Sequence, residues 1–270
     1  MTKKLICVDL DGTLLNSNNE ISKETKKVIY EVMNKGHKMA IITGRDYYSS
    51  IHVARELFKG STSGILSSSN GAHVFDLCSN KVIYEHKINS DVLKDLMDFS
   101  KSIGIDYMLY KDNKIMIEKI DTYDVDLIHQ KNKIEVLLVK DLKDWVGDGL
   151  NKIILSANPE KIIGNYEKIK EKYNKIINPV RSMPQFIDCI PYGINKGVSM
   201  GEIGRYYGIG MEDTISFGDG DNDIEMIVKA GCGVSMKNGS LNLKKMADFI
   251  CLTNDNDGIA DFLENYVINS

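Results

Sequence analysis

Long apolar runs are missing. No stretch of this 270-residue chain approaches the roughly 18 consecutive apolar residues of a membrane-spanning helix, so no transmembrane segment is expected. At the N-terminus, Lys3 and Lys4 are followed by four apolar residues and then by Asp9 and Asp11, too short a run for the core of a secretory signal. Positive charge is in deficit: 34 Lys and Arg against 38 Asp and Glu leave a formal net charge of −4, without the basic excess that drives nucleic-acid binding. Short runs such as Lys23 to Lys27 read as solvated helix faces. Cysteine is scarce and odd in number. Cys7, Cys78, Cys189, Cys232 and Cys251 are widely spaced and form no C-x-x-C pair, which suggests free thiols in a reducing compartment, with small core positions for Cys7, Cys189 and Cys232. The five histidines show no zinc-ligand spacing. No G-x-x-x-x-G-K-[ST] occurs, and Gly147-x-Gly149 meets Lys152 where a dinucleotide fingerprint needs glycine. A soluble cytoplasmic protein is expected, with no nucleic-acid or membrane partner and no NTP or dinucleotide loop.

What the chain does have is alternation. Short β-rich runs (Leu5-Val8, Met39-Ile42, Gly64-Leu66) alternate with helical stretches (Ser22 to Gly36, Tyr47 to Phe58), the rhythm of βαβ units and a parallel sheet. The same rhythm returns late, with helices at Gly197 to Tyr207, Asn222 to Ala230 and Ile259 to Tyr266 and strands at Thr214-Phe217 and Gly233-Ser235. Between them the pattern changes. Lys114 to Glu118 follows an Asp112-Asn113 turn, and further strand-like runs (Ile134 to Val139, Lys152 to Ser156, Phe186 to Ile190) interleave with helices Asp91 to Ser102 and Pro159 to Tyr173. This predicts an α/β domain built from residues 1–80 and 191–270, with an α+β domain, residues 81–190, inserted into it.

In an open parallel sheet, ligands bind beyond the carboxyl ends of the strands. Three polar groups fall there: Asp9 and Asp11 after the first strand, Thr43-Gly44-Arg45 after Ile42, and the run from Gly218 to Asp223 after Phe217. Two carboxylates gain nothing by ending a core strand unless something neutralises them. Asp9, Asp11, Asp219 and Asp223 offer hard oxygen ligands with no nitrogen or sulfur, which suits Mg²⁺. The Thr43 hydroxyl, the peptide at Gly44 and the Lys196 ammonium are groups that phosphate oxygens require. A calcium loop starting at Asp219 fails, because its sixth position is Ile224 and its twelfth Ala230. The combination points to phosphoryl chemistry.

"DLDGT" (9–13), "ITGR" (42–45), "NKG" (195–197) and "GDGDND" (218–223), in that order and at those strand ends, resemble the four signature motifs of the haloacid dehalogenase (HAD) superfamily. "SSSNGA" (67–72) and the long insert are similar to the Cof-type subgroup, whose phosphatases carry a type IIB α+β cap. The resemblance covers essentially the whole chain and implies a Rossmann-like parallel-sheet core with an inserted cap. It further implies that Asp9 is the nucleophile, forming an aspartyl-phosphate, and that Asp11 is the acid and then the base. Mg²⁺ would be held by Asp9, Asp11 and Asp219, with Asp223 placing a water and Asn222 aiding it. Thr43, Gly44 and Lys196 would hold the phosphoryl group. Arg45, Asn70 and Gly71 are expected to border the crevice and touch substrate. Gly12 and Gly218 are read as turn glycines, Asp221 as a solvated loop residue, Trp145 as a core or surface aromatic, and Asn238-Gly239-Ser240 as an unused glycosylation sequon. Asp11 favours phosphate over halide, because expelling halide needs no proton. The expected function is Mg²⁺-dependent hydrolysis of a small phosphorylated metabolite, foremost a sugar phosphate, by a monomer or small homo-oligomer. A phosphomutase of the same superfamily and a non-catalytic metabolite sensor are the alternatives.

Overall fold

A computed structural model describes residues 2–269, which divide into two compact units. The first comprises the chain up to Gly44, Ile51–Tyr84, and the chain from Asn195 onward; the second comprises Arg45–Ser50 and Glu85–Ile194. Both chain crossings lie a few residues past positions 80 and 190, where composition changes. The grouping of Arg45–Ser50 with the second unit has no signature in the sequence.

The elements before the insert are β1 (Leu5–Val8), α1 (Lys23–Asn34), β2 (Lys38–Ile42), α2 (Tyr47–Leu57), β3 (Ile65–Ser68), β4 (His73–Asp76) and β5 (Lys81–Glu85). The insert contains α3 (Ser90–Ser102), β6 (Asp106–Lys111), β7 (Lys114–Ile117), α4 (Val125–Asn132), β8 (Glu135–Leu138), β9 (Ile153–Ser156), α5 (Pro159–Lys172), β10 (Ile177–Met183) and β11 (Phe186–Pro191). The chain returns through α6 (Lys196–Tyr207), β12 (Thr214–Gly218), α7 (Ile224–Lys229), β13 (Cys232–Ser235), α8 (Leu241–Met246), β14 (Phe249–Ile250) and α9 (Gly258–Leu263). Two of the expected helices are shorter and less regular than their periodicity suggests. Asn222 to Ala230 opens as a 3₁₀ turn at Asp221–Asp223, and α9 continues into a π-helical turn at Glu264–Ile268.

In the first unit an eight-stranded sheet has the order β14-β13-β12-β1-β2-β3-β4-β5. The strands from β14 through β3 pair in parallel, and β4 turns back antiparallel on β3. Central parallel strands are covered on both faces and read as near-continuous apolar runs. β1, reading LICV, is buried at all four positions. Leu5, Cys7, Ala40, Ile42, Ile65 and Val74 form one packed face with Met200 and Ile203 of α6. Ser22 caps α1 by accepting the Thr25 N–H at 3.0 Å, as its place at the start of that amphipathic stretch predicts. Register then aligns the strand ends: Val8 stands opposite Phe217 on one side and Ile41 on the other. The residues following β1, β2 and β12 therefore emerge along one edge.

The second unit is a six-stranded sheet, β10-β11-β9-β6-β7-β8, antiparallel except for the β7–β8 pair. Leu93, Leu96 and Met97 of α3 and Ile162 and Ile169 of α5 pack on one face, with Trp145 partly buried against them. Met108, Ile115, Ile154 and Phe186 form the other face with Val125 and Ile128 of α4. Among the described residues no helix is long and apolar enough to cross a membrane. Cys7 and Cys189 are buried as expected, but Cys232 at the start of β13 is half-buried and Cys251 takes the buried position instead.

Candidate active site

The Asp9 N–H donates to the Phe217 carbonyl at 3.0 Å, which ties the residue to the carboxyl end of β12 as the chain leaves β1. Lys196 is the first residue of α6, a helix started by Asn195, whose side chain accepts the Val198 N–H at 2.8 Å. That start places the Lys196 Nζ against two acids. It donates to Asp9 Oδ1 and to Asp223 Oδ1, each at 2.5 Å, with all three side chains buried. The other oxygen of Asp223 accepts the N–H groups of Asp219 and Gly220 at 3.0 and 2.9 Å, which fixes the loop after β12. The Asp219 carboxylate in turn accepts the Thr13 hydroxyl at 3.0 Å. Gly12 has φ +75°, and a Cβ there would stand 2.4 Å from Asp219 Oδ2, so both its backbone and its neighbour demand glycine.

One carboxylate oxygen each from Asp9, Asp219 and Asp223 lies within 4.8 Å of the other two. In this cluster three acids gather around the Lys196 ammonium, with carboxylates in excess of cations. Burial raises the Asp9 carboxyl well above its ordinary range; Lys196 opposes this, while Asp223 and Asp219 add to it. Burial works against the Lys196 ammonium, but Asp223 and Asp9 outweigh it and hold the lysine charged. Asp219 is pushed up to about 6, by burial first and then by Asp223. An all-oxygen, carboxylate-rich set held this close fits a small hard dication.

The other candidates fall into place unevenly. Asp11 is half-buried, and its charge helps raise Asp219. Thr43 is buried at the end of β2, its N–H donating to Ser67 O at 2.8 Å, and Gly44 is half-buried beside Asn70. Arg45 begins the six residues that pack within the second unit. Asn70 and Gly71 are buried, and the Asn222 amide donates to Asn70 Oδ1 at 3.0 Å. Asp221 is exposed and accepts from Ser240 and Asn242. Three supporting residues escaped the sequence reading. Thr13 lies inside the first motif and could have been found there. Asn238 donates to Gly12 O at 2.7 Å and the Ser240 N–H to Asp219 O at 2.8 Å, so the apparent sequon braces the two acid-bearing loops. No spacing rule connects positions 238 and 12.

An acidic, lysine-clamped cluster on the carboxyl edge of a parallel sheet, with a buried threonine at the end of the neighbouring strand, defines a class of α/β enzyme that handles phosphate esters. The sequence profile of the haloacid dehalogenase-like hydrolases matches residues 6–263, and the chain belongs to that family. It is a hydrolase of the family's phosphatase type. Two Bacillus subtilis proteins, the 5-amino-6-(5-phospho-D-ribitylamino)uracil phosphatases YitU and YcsE, are 33% and 30% identical to it. The first alignment covers 97% of this chain and 97% of the relative; the second covers 98% and 96%. The crystal structure of a haloacid dehalogenase-like hydrolase from Bacteroides thetaiotaomicron superposes with a TM-score of 0.91 at 30% identity, covering 98% of this chain and 99% of that one.

Proposed function

We propose that this protein is a cytoplasmic, Mg²⁺-dependent phosphatase that hydrolyses a small sugar or sugar-alcohol phosphate through an aspartyl-phosphate on Asp9. The observation that carries the proposal is the Lys196 ammonium clamped at 2.5 Å to both Asp9 and Asp223. A nucleophilic carboxylate must be ionised, and burial alone would protonate it; Lys196 supplies the counter-charge. An Asp9 oxygen attacks phosphorus in line, and the ester P–O bond breaks as Asp11 gives its proton to the leaving oxygen. Asp11 then takes a proton from water, the water oxygen attacks phosphorus, and the Asp9–phosphorus bond breaks to release inorganic phosphate. Thr43, Gly44 and Lys196 hold the phosphoryl oxygens throughout. Asp9, Asp11 and Asp219 would hold Mg²⁺, with Asp223 and Asn222 placing its waters; its charge would neutralise phosphoryl oxygens in the transition state.

The second unit, with Arg45 leading into it, selects the leaving group. The similarity to two phosphatases named for a phosphoribitylaminouracil supports testing a phosphorylated ribityl chain first. Five cysteines with no pairing pattern suit the reducing cytoplasm. The test is phosphate release from 5-amino-6-(5-phospho-D-ribitylamino)uracil, pentose and hexose phosphates, nucleotides, pyridoxal phosphate and an aryl phosphate, with Mg²⁺ and with chelator. Metal-dependent release favouring a polyol or sugar ester, lost by at least about 1,000-fold in Asp9→Asn, is the expected result. Release that persists in Asp9→Asn refutes the nucleophile. Phosphoryl transfer to a second sugar without free phosphate would show a mutase instead.

A further inference from the structure

The chain after β3 does something unusual for L-residues. Ser69, Asn70 and Gly71 all have positive φ, at 53°, 53° and 100°. Three left-handed residues in a row are strained: asparagine tolerates that conformation moderately, serine poorly, and only glycine without cost. The turn is also buried, with Ser67 through Ala72 all shielded from solvent. Strain of this kind persists only where the surroundings over-determine it.

Those surroundings are three of the four signature segments. The Asn70 N–H donates to the Thr43 carbonyl at 2.9 Å, and the Thr43 N–H to Ser67 O at 2.8 Å, so the turn and the Thr43 loop are laced together through the main chain. Asn70 Oδ1 accepts the side-chain amide of Asn222, in the loop that carries Asp219 and Asp223. Gly71 lies so close to the start of α6 that a Cβ on it would stand 2.6 Å from the Asn195 carbonyl and 3.0 Å from Ser199 Cβ. Asn195 caps the helix whose first residue is Lys196. A Cβ on Gly44 would likewise reach Asn70 Oδ1 at 3.1 Å. One strained turn thus touches the Thr43 loop, the Lys196 helix start and the Asp219–Asp223 loop.

We infer that Ser69-Asn70-Gly71 is a clasp for the phosphate site and that Asn70 is a positioning residue within it. Asn70 spends its amide N–H and its side-chain oxygen on Thr43 and Asn222, which sets the separation between the threonine hydroxyl and the acid-bearing loop. It acts on turnover through those two residues rather than by touching the leaving group. The left-handed turn is what lets one residue reach both, because an extended or right-handed Asn70 would aim its N–H and side chain elsewhere.

The discriminating variant is Asn70→Gly, which keeps the left-handed backbone at no steric cost and deletes only the amide. Asn222→Ala and the double variant complete a cycle. The kinetic part rests on the phosphatase reading proposed above. The clasp predicts that Asn70→Gly lowers kcat about 10- to 100-fold, by the same factor for an aryl phosphate and for the preferred metabolite. It also predicts that the double variant is no slower than the worse single. A loss that multiplies with that of Asn222→Ala, or a KM change confined to one leaving group, overturns it in favour of direct substrate contact. Hydrogen exchange of the protein without substrate tests the clasp whether or not any ester is cleaved. Amides around Asn222 should exchange faster in Asn70→Gly than in the parent, while those around Thr43, held by the main chain that the variant keeps, stay slow; unchanged exchange around Asn222 overturns the inference.

Discussion

Replacing Lys196 with methionine keeps the length and apolar stem of the side chain and removes only the charge, so it isolates what the ammonium does. At an effective dielectric of about 20, each 2.5 Å contact with Asp9 and Asp223 represents a gross attraction of about 7 kcal/mol. Desolvating the three groups cancels most of that. The variant, however, keeps the desolvation of both carboxylates and loses their counter-charge, with Asp219 close by. Breaking a buried pair in this way costs about 3–5 kcal/mol. At roughly 2–4 °C per kcal/mol for a chain of this size, the metal-free melting temperature should fall by about 10 °C near pH 8. The sign with pH follows from Asp9. Its folded-state carboxyl is already raised, and without Lys196 it rises further, so the folded protein takes up protons as pH falls. The deficit relative to the parent is therefore largest above the folded-state range and shrinks toward about pH 5. Thermal melts of parent and Lys196→Met in chelator at both pH values, repeated with excess Mg²⁺ at the upper one, give the test. Mg²⁺ should narrow the gap by restoring positive charge. A variant melting within about 2 °C of the parent at pH 8, or a deficit that grows on acidification, refutes the charge clamp.

Asp219→Asn should stabilise the metal-free protein near neutrality while abolishing its stabilisation by Mg²⁺. The Asp219 carboxyl is pushed up to about 6 from an ordinary 3.8, so its protonation favours the fold below about 4 and that contribution is lost as pH rises through about 6. The variant's advantage in melting temperature should accordingly be present near pH 8 and fade by about pH 4; an unstable variant, or one still stabilised by Mg²⁺, contradicts the metal-site reading. In the second unit, Lys152 pairs with Asp188 at 3.2 Å, both side chains only 6% exposed, and Ser182 donates to the other Asp188 oxygen at 3.0 Å. Lys152→Met should cost about 3–5 kcal/mol, and adding Asp188→Leu should recover much of it. Denaturant unfolding followed by the fluorescence of Trp145, the chain's single tryptophan, reports that unit; a double variant no more stable than the single one counts against the pair.

The elements legible in the sequence are those whose residues must agree locally. β1 is an unbroken apolar run, β2 is one after Lys38, and β12 carries Ile215 and Phe217, because a central parallel strand is covered on both faces; an acid or threonine directly after such a run has only the carboxyl edge of the sheet to occupy. Asp9, Thr43, Asp219 and Asp223 were therefore placed by pattern, and α1 by its capping serine. β10 was not legible, since Pro179 and Arg181 interrupt its pattern. It is tolerated as a strand because it is the edge of its sheet, where a missing N–H breaks no ladder. Nor could the sequence show that Arg45–Ser50 packs with the second unit, or that the Asn70 N–H meets the Thr43 carbonyl while its side-chain oxygen accepts from Asn222. Asn70 and Asn222 are 152 residues apart, Thr13 and Asp219 206, and Asn238 and Gly12 226. Local composition determined which chemistry the chain carries, because hard oxygen ligands, a lysine and a hydroxyl specify it by type. Tertiary structure alone decided which of those groups are spent on one another, because hydrogen bonds and buried charges are settled by distance in space, on which separation along the chain places no constraint.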